Sequence, residues 1–240
     1  MGDQIGIAVS GKMYHVPLKE FNRILNADID IHLKVSLFSY LCRINTLYMI
    51  AKAGSGHIGS SFSSMEIISW IYLNEFNDSD SDNIFFSSKG HDAPALYSVL
   101  IGLGIIETNM LGKLRRINGL PGHPDVSTKG IVTNTGSLGM GISKAKGMVF
   151  ANKIQEIDTN AFILTGDGEL KEGQFWESLI SASNHNLNEL TVVIDHNKLQ
   201  SDTLVSKVSD LGDLEAKLRS FGWHVERCDG NDVLDLGNTF

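Results

Sequence analysis

The chain has 240 residues, of which 42% are hydrophobic, and it carries a formal net charge of −8. This hydrophobic content is enough for one sizeable core. The negative net charge disfavours nucleic acid and anionic membranes as partners. The two cysteines, Cys42 and Cys228, have no CxxC spacing, so a zinc site and a disulfide framework are both disfavoured. No signal peptide and no spanning segment of roughly 18 apolar residues is apparent, so we expect a cytoplasmic protein.

The first half of the chain predicts several helices around one short strand. Four stretches repeat apolar residues at helical spacing. Either Ser63 or Ser64 is suited to cap the second of these helices. The segment "NIFFSS" between the second and third helices is a strand candidate. The predicted helices cover residues 35–53, 64–75, 92–103 and 137–153.

The second half of the chain alternates strand and helix patterns. The apolar runs "AFILTG" and "LTVVIDH" are typical of buried parallel strands. Helical segments follow them, "EGQFWESLISASNHN" and "LGDLEAKLRSFG", and "WHVERCDG" is a third strand candidate. This alternation predicts a parallel α/β sheet. Ligands of such sheets bind beyond the carboxyl ends of the strands, where "TGDG" and "DHNK" occur.

Two hard oxygen donors follow the two buried strands. Asp167 and Asn197 lie about thirty residues apart, a plausible length for one strand–helix–strand unit. Such a pair suits Mg²⁺, which binds few protein groups together with phosphate and water. Gly166 and Gly168 would let the backbone approach a phosphate closely. The alternative is that Asp167 only caps the following helix and that Asn197 only sits in a turn.

Six stretches between residues 54 and 202 form an ordered set of motifs. They are "GSGHIGSSFSSMEII" (54–68), "SKGHDAPALYSVL" (88–100), "GLPGHPD" (119–125), "NTGSLGMGIS" (134–143), "GDGELKEGQFWE" (166–177) and "DHNKLQSD" (195–202). Together with the "GDG…N" signature of thiamine diphosphate enzymes, this set resembles the transketolase family over about residues 35 to 231. The resemblance implies an α/β thiamine-diphosphate-binding fold, with a central, mostly parallel sheet and helices on both faces.

The resemblance implies thiamine diphosphate and Mg²⁺ as cofactors. Asp167, Asn197 and the backbone carbonyl of Leu199 would bind the metal. Backbone and loop residues would line the diphosphate and the thiazolium ring. These residues are Gly136, Leu138, Gly166 and Gly168.

Three of the histidines that precede the GDG strand lie directly beside a glycine. A lone histidine is usually a structural hydrogen-bonding residue, but three on glycine-flanked loops favour phosphate contact or proton transfer. The resemblance implies that His57 and His91 contact the diphosphate and the active site, and that His123 contacts the donor sugar. Glu172 matches a family glutamate near the subunit interface; alternatively, it is a carboxylate favoured at a helix N-terminus.

Lys89 precedes His91 on the same predicted loop. It could approach a phosphate, but an exposed, solvated side chain is the favoured interpretation.

Full-length transketolases have further domains, one of which supplies the glutamate that acts on the cofactor's aminopyrimidine. The 240 residues contain no match to these domains. The resemblance therefore implies that the chain is the N-terminal subunit of a split transketolase, active with a separate C-terminal subunit. We expect a homodimer of this chain within a heterotetramer, acting on sugar or sugar phosphate substrates. Residues 1–34 would be an N-terminal extension, and residues 35–240 would be the diphosphate-binding domain, either with or without the last helix and strand that the family has there.

Several alternatives stay open from the sequence. The chain could be a 1-deoxyxylulose-phosphate synthase or part of an α-keto-acid dehydrogenase, although "SKGH", "PGHP" and "KEGQFWE" favour transketolase. It could also be a non-catalytic or truncated scaffold subunit, but the full set of site residues opposes this. A Mg-nucleotide-binding domain is disfavoured, because the sequence has neither GxxxxGK[ST] nor GxGxxG after a predicted strand.

Overall fold

The computed structural model describes residues 13–76, 82–200 and 203–240 and contains a central parallel sheet of three strands. The strands are β1 (Ile84–Ser87), β2 (Ala161–Gly166) and β3 (Leu190–Asp195), and β2 lies in the middle. In the register of the sheet, Ser87 lies opposite Leu164, and Gly166 lies opposite Asp195. The three strands predicted from "NIFFSS", "AFILTG" and "LTVVIDH" are thus confirmed. The prediction that "LTVVIDH" is buried is wrong, because β3 is an outer strand of this sheet and residues 191–194 are exposed or half-buried.

Helices cover both faces of this sheet. Along β2, Phe162 and Leu164 point into one apolar cluster, whereas Ala161 and Ile163 point into a second. This alternation follows from the two-residue period of a strand. The first cluster is packed by α1 (Leu18–Leu25), α2 (Ile31–Ala53), α4 (Met65–Trp70), α5 (Ala93–Gly102) and α10 (Val233–Thr239); the second is packed by α6 (Gly141–Ile154), α7 (Gly173–Asn184) and α9 (Leu214–Ser220).

The longest helix, α2, has clear signals at both ends. The carboxylate of Asp30 accepts hydrogen bonds from the backbone N–H groups of His32 and Leu33, which otherwise lack helical partners. Gly54 ends the helix in a left-handed conformation with φ of 72°. The last helix, α10, begins in the same way as α2, since Asp232 accepts from Leu234 N–H.

The predicted helix over 64–75 is interrupted. Helix α3 (Ile58–Ser63) ends just before Ser64, α4 follows it, and residues Ile71–Glu75 form a π-helical turn. Ser64 precedes α4, but its hydroxyl donates to Ser60 O at 2.7 Å instead of capping α4. Short elements complete the chain: 3₁₀ turns at Thr108–Gly112 and Asp167–Lys171, the hairpin strands β4 (Leu199–Gln200) and β5 (Thr203–Leu204), and α8 (Val205–Val208).

The strand prediction for "WHVERCDG" is wrong. Residues 223–230 form no strand ladder, because their side chains and carbonyls pack against the helical layer instead. Trp223 Nε1 donates to Leu179 O at 3.2 Å, and Arg219 Nη2 donates to Val225 O at 3.0 Å. Within the described ranges, none of the helices combines the length with the apolar character that a membrane span requires.

Candidate functional site

The predicted metal ligands meet at the carboxyl edge of the sheet. Asp167 directly follows β2, and Asn197 follows β3, the neighbouring strand. Asp167 Oδ2 accepts a hydrogen bond from Lys198 N–H at 2.7 Å, and Asn197 Oδ1 accepts one from Leu199 N–H at 2.9 Å. The backbone of 197–199 therefore lies against Asp167.

The chemistry of this pair fits a divalent cation. Asp167 is only 1% exposed, and burial raises the pKa of its carboxyl above the ordinary value, although backbone N–H groups of Lys198 and Gly168 oppose the shift. A cation beside the carboxylate would offset this cost of burial. A carboxylate and an amide oxygen are ligands that Mg²⁺ prefers. The ligand roles, including that of the Leu199 carbonyl, stay predictions.

The two glycines of the GDG motif have close neighbours on this chain. A Cβ atom built on Gly166 would lie 2.9 Å from Lys89 Cδ, and one on Gly168 would lie 3.1 Å from Gln200 Cβ. A larger residue at position 166 would therefore collide with the side chain of Lys89. This is a second reason for glycine, besides the close approach to phosphate that the sequence suggests.

The structure brings the three predicted histidines together. His57 immediately precedes α3, His91 follows β1, and the two ring centroids lie 4.9 Å apart. His123 comes from the loop before α6 and approaches the same place. A Cβ atom on Gly136 would lie 2.7 Å from His123 Cδ2, and one on Gly90 would lie 3.0 Å from that atom.

The loop formed by residues 135–139, the TGSLG loop, thus packs directly on the histidine cluster. Gly136 has φ of 105°, a conformation that side-chain-bearing residues rarely adopt. A Cβ on Gly90 would also lie 2.7 Å from the backbone nitrogen of Gly136, so the two loops touch through their backbones. Leu138, on the same loop, is 38% exposed.

Two of the clustered imidazoles favour the neutral form. Burial lowers the pKa of His91, with Lys89 and His57 adding to the effect while Asp92 opposes it. Burial also lowers the pKa of His123, and the nearby Arg115 guanidinium and His57 lower it further. His91 Nδ1 lies 3.1 Å from the carbonyl oxygen of Lys89. A neutral ring in this arrangement donates from Nδ1 and keeps Nε2 as an acceptor.

Glu172 and Glu169 lie at different places relative to the TGSLG loop. Glu172 is exposed just before α7, and its Cβ would be 2.6 Å from a Cβ atom built on Gly139. Glu169 is buried and binds three partners: the hydroxyl of Ser88, Gly139 N–H at 2.8 Å, and Gly166 N–H at 3.4 Å. Glu169 therefore joins the loops that follow β1, precede α6 and end β2. Sequence reasoning assigned it no role, although it is part of the GDGELKEG motif.

The expectation of an exposed Lys89 is wrong. The residue is 1% exposed, and its ammonium lies 2.8 Å from Asp195 Oδ2 and 3.3 Å from Asp92 Oδ2. Burial by itself would lower the pKa of Lys89, but the two carboxylates hold it above its ordinary value. Desolvation is tolerated because the charge is paired. One feature of the sequence did indicate a buried cation here: Asp195 is a charged residue that ends an apolar strand, so it needs a positively charged partner.

Comparisons with known proteins identify the family to which this chain belongs. The family described as "Transketolase, thiamine diphosphate binding domain" matches residues 37–239. The chain is 38% identical over 200 residues to the 6-deoxy-6-sulfo-D-fructose transketolase subunit SqwG of a Clostridium species, covering 80% of this chain and 72% of the relative. It is 33% identical to one of the subunits of the apulose-4-phosphate transketolase of Phocaeicola vulgatus, covering 80% of this chain and 71% of the relative.

Full-length transketolases are also similar, but the chain spans only about a third of their length. Human transketolase is 32% identical over 206 residues, which are 82% of this chain and 33% of the human protein. The crystal structure of Campylobacter jejuni transketolase superposes with a TM-score of 0.78 at 25% identity, over 88% of this chain and 35% of that one. The chain therefore belongs to the transketolase family and carries its thiamine diphosphate binding domain.

Proposed function

We propose that this chain is the diphosphate-binding subunit of a two-subunit transketolase, which moves a two-carbon ketol unit from a ketose donor to an aldose acceptor. The observation that carries this proposal is that the three histidines lie against the TGSLG loop. Glu169 connects this loop to the carboxyl edge of the sheet, which holds Asp167 and Asn197. Lys89, beside His91, reaches the same edge at Asp195. The relatives of comparable length are themselves named as transketolase subunits.

The metal end of the site would be held by this chain alone. Asp167 and Asn197 would bind Mg²⁺ through side-chain oxygens, and Leu199 would bind it through its backbone carbonyl. Gly166, Gly168 and the TGSLG loop would approach the diphosphate. Thiamine diphosphate, when bound, supplies the carbon nucleophile for cleavage beside a ketose carbonyl.

The histidine cluster would handle phosphate oxygens, sugar hydroxyls and protons. His57 and His91 would contact the diphosphate end, and His123 would contact hydroxyls of the donor sugar. The lowered pKa values of His91 and His123 keep their rings neutral near pH 7. A neutral ring with a free nitrogen lone pair is able to accept a proton from a sugar hydroxyl.

A second subunit would complete the active site with the pyrimidine-binding half. The Clostridium and Phocaeicola relatives are both named as single subunits of a transketolase, which implies such a partner. We further propose a homodimer of this chain within a heterotetramer, sugar phosphates as substrates, Glu172 near the subunit boundary and a cytoplasmic location. Exposed apolar side chains along one face of α2 support burial against further protein. They are Leu33, Leu37, Tyr40, Ile44 and Leu47.

The division of the chain into an extension, residues 1–34, and a domain, residues 35–240, also stays a proposal. The family match begins at residue 37. The described part of the extension nevertheless contributes to the core, since Phe21 is fully buried and packs edge-on against Phe38 at 5.3 Å between ring centroids. Residues 1–12 of the extension and residues 201–202 of the DHNKLQSD motif lie outside the described residues.

The test is reconstitution of the two-chain complex. We would purify the chain with the partner it captures in its own host, record native mass spectra with Mg²⁺, and assay ketol transfer from a ketose phosphate. We expect a complex that carries thiamine diphosphate and is active. The Asp167→Asn variant should lose more than about 100-fold in activity, because even outer-shell partners of metal ligands typically contribute 10–100-fold.

Asp158→Asn is the matched control, since Asp158 is exposed and precedes β2 at the opposite end of that strand. A complex that binds thiamine diphosphate but shows no ketol transfer would favour a scaffold role or another thiamine diphosphate enzyme. Full activity of the Asp167→Asn complex would contradict the site assignment.

A further inference from the structure

Lys89 crosses the carboxyl edge of the sheet from the first strand to the third. It follows β1, its side chain passes Gly166 at the end of β2, and its ammonium reaches Asp195 at the end of β3. The same ammonium donates to Ser64 Oγ at 2.6 Å and lies 3.3 Å from Asp92. One buried cation therefore ties three strand ends to the helix starts at α4 and α5.

Asp195 collects donors on one oxygen. Its Oδ2 atom accepts from Lys89 Nζ at 2.8 Å, from Ser63 Oγ at 2.7 Å and from Asn197 Nδ2 at 3.1 Å. The residue is only 6% exposed, so these bonds form away from water and are correspondingly strong. The carboxylate is thus held rigidly, and it faces the nitrogen side of the Asn197 amide.

The contacts of Asn197 fix which way its amide faces. Nδ2 faces the Asp195 carboxylate, and Oδ1 accepts the Leu199 N–H at 2.9 Å. A flipped amide would place its oxygen against a carboxylate oxygen and its NH₂ against an N–H group, which loses both bonds. An amide oxygen has two lone pairs, so Oδ1 keeps one after accepting from Leu199, whereas the amide nitrogen offers only hydrogens.

We propose that Asp195, anchored by Lys89, is a positioning residue that turns the Asn197 amide so that its oxygen, and not its nitrogen, faces the metal. The inference rests on the proposed roles of Asp167 and Asn197 as metal ligands. Asp195 itself contacts neither the metal nor the substrate in this scheme. Its effect passes entirely through the orientation of one side-chain amide.

The test is a mutant cycle read out as Mg²⁺ affinity. The metal is removed from the two-chain complex with a chelator, and Mg²⁺ is titrated back by calorimetry with thiamine diphosphate present. Asp195→Ala should raise the Mg²⁺ Kd by about 10–100-fold, as loss of an orienting partner does elsewhere. Asp195→Asn keeps an acceptor oxygen and should leave the Kd close to that of the unchanged protein.

The second side of the cycle uses Asn197→Asp. A carboxylate presents an oxygen whichever way it is rotated, so in this background Asp195→Ala should cost much less Mg²⁺ affinity. An equal loss in both backgrounds, or an unchanged Kd in Asp195→Ala alone, would overturn the inference. If Asp195→Ala does not fold, Asp195→Thr takes its place in the same cycle.

Two further variants separate this inference from the proposed function. Asp167→Asn should abolish high-affinity Mg²⁺ binding, and Asp158→Ala, at the far end of β2, should not change it. If Asp167→Asn binds Mg²⁺ normally, the proposed metal site fails. If Asp167→Asn loses Mg²⁺ but Asp195→Ala does not, the site stands and only the positioning role is wrong.

Discussion

The imidazole rings of His57 and His91 lie with their centroids 4.9 Å apart and their planes tilted by 57°. The two residues come from different elements, the start of α3 and the loop after β1. Two imidazolium ions this close would repel each other, and His91 is also partly shielded from water. The pair therefore favours the state in which His91 is neutral.

We expect His91 to make the protein less stable in mild acid. Its pKa in the folded protein lies below the ordinary value of 6.5, so the unfolded chain binds more protons as the pH falls below that value. Stability then rises with pH through this window and falls on acidification. In His91→Gln, the free energy of unfolding should drop less between pH 7.5 and pH 5.5, as measured by urea denaturation at each pH.

His185→Gln is the control for this experiment, because it removes an exposed ring outside the site. An equally steep loss of stability on acidification in His91→Gln and in the unchanged protein would contradict the prediction.

Gly136→Ala should destabilise the protein and weaken thiamine diphosphate binding. The residue has φ of 105°, and the new Cβ would lie 2.7 Å from His123 Cδ2. The backbone strain alone costs about 1–3 kcal/mol, and relief of the clash would displace His123 or the TGSLG loop. Gly147→Ala is the matched control, because Gly147 is exposed within α6 with no atom within 4 Å of the new Cβ.

The control should be neutral or should stabilise the protein by about 0.5–1 kcal/mol. Urea denaturation and cofactor titration of both variants would check the pair. Equal stability and equal cofactor affinity in Gly136→Ala and Gly147→Ala would show that the contact with His123 does not matter.

Two neighbouring glutamates should differ sharply on substitution. Glu169→Ala removes the acceptor of the Ser88 hydroxyl and of the Gly139 and Gly166 N–H groups. Each buried donor left unpaired costs about 1–3 kcal/mol. Glu172→Ala, on an exposed side chain, should change the unfolding free energy by no more than about 0.5 kcal/mol. Thermal unfolding of the two variants side by side measures the difference, and similar melting temperatures would refute it.

Lys89→Met should cost far more stability than a surface lysine does. It leaves the buried carboxylates of Asp92 and Asp195 without their cation, and breaking a buried pair from one side costs about 3–5 kcal/mol. Lys153→Met removes a partly exposed pair with Glu189, 3.2 Å apart, and should cost at most about 1 kcal/mol.

Adding Asp195→Asn to Lys89→Met removes one of the stranded charges and should recover part of the lost stability. Chemical denaturation of the single and double variants measures this recovery. No recovery would mean that the lysine stabilises the fold through packing beside Gly166 and not through its charge.

The strands of the sheet and most helices follow from local pattern. "AFILTG" and "LTVVIDH" became β2 and β3, but only β2 is buried along its whole length, and the middle of β3 is exposed or half-buried. The pattern failed at "WHVERCDG", which has the composition of a strand but finds its partners in the helical layer through Trp223 and Val225. Strand pairing is a long-range property, so composition alone does not determine it.

The sequence by itself determined the chemistry of the site: an aspartate between glycines after one strand, an asparagine after the next, and three histidines beside glycines. Their kinds and their order along the chain are local facts that motif spacing expresses. Only the tertiary structure decided that Lys89 is buried, that Asp195 receives it, and that Glu169 joins three loops. Those relations connect residues up to 106 positions apart, and only the packing of the strand ends against the helices brings them together.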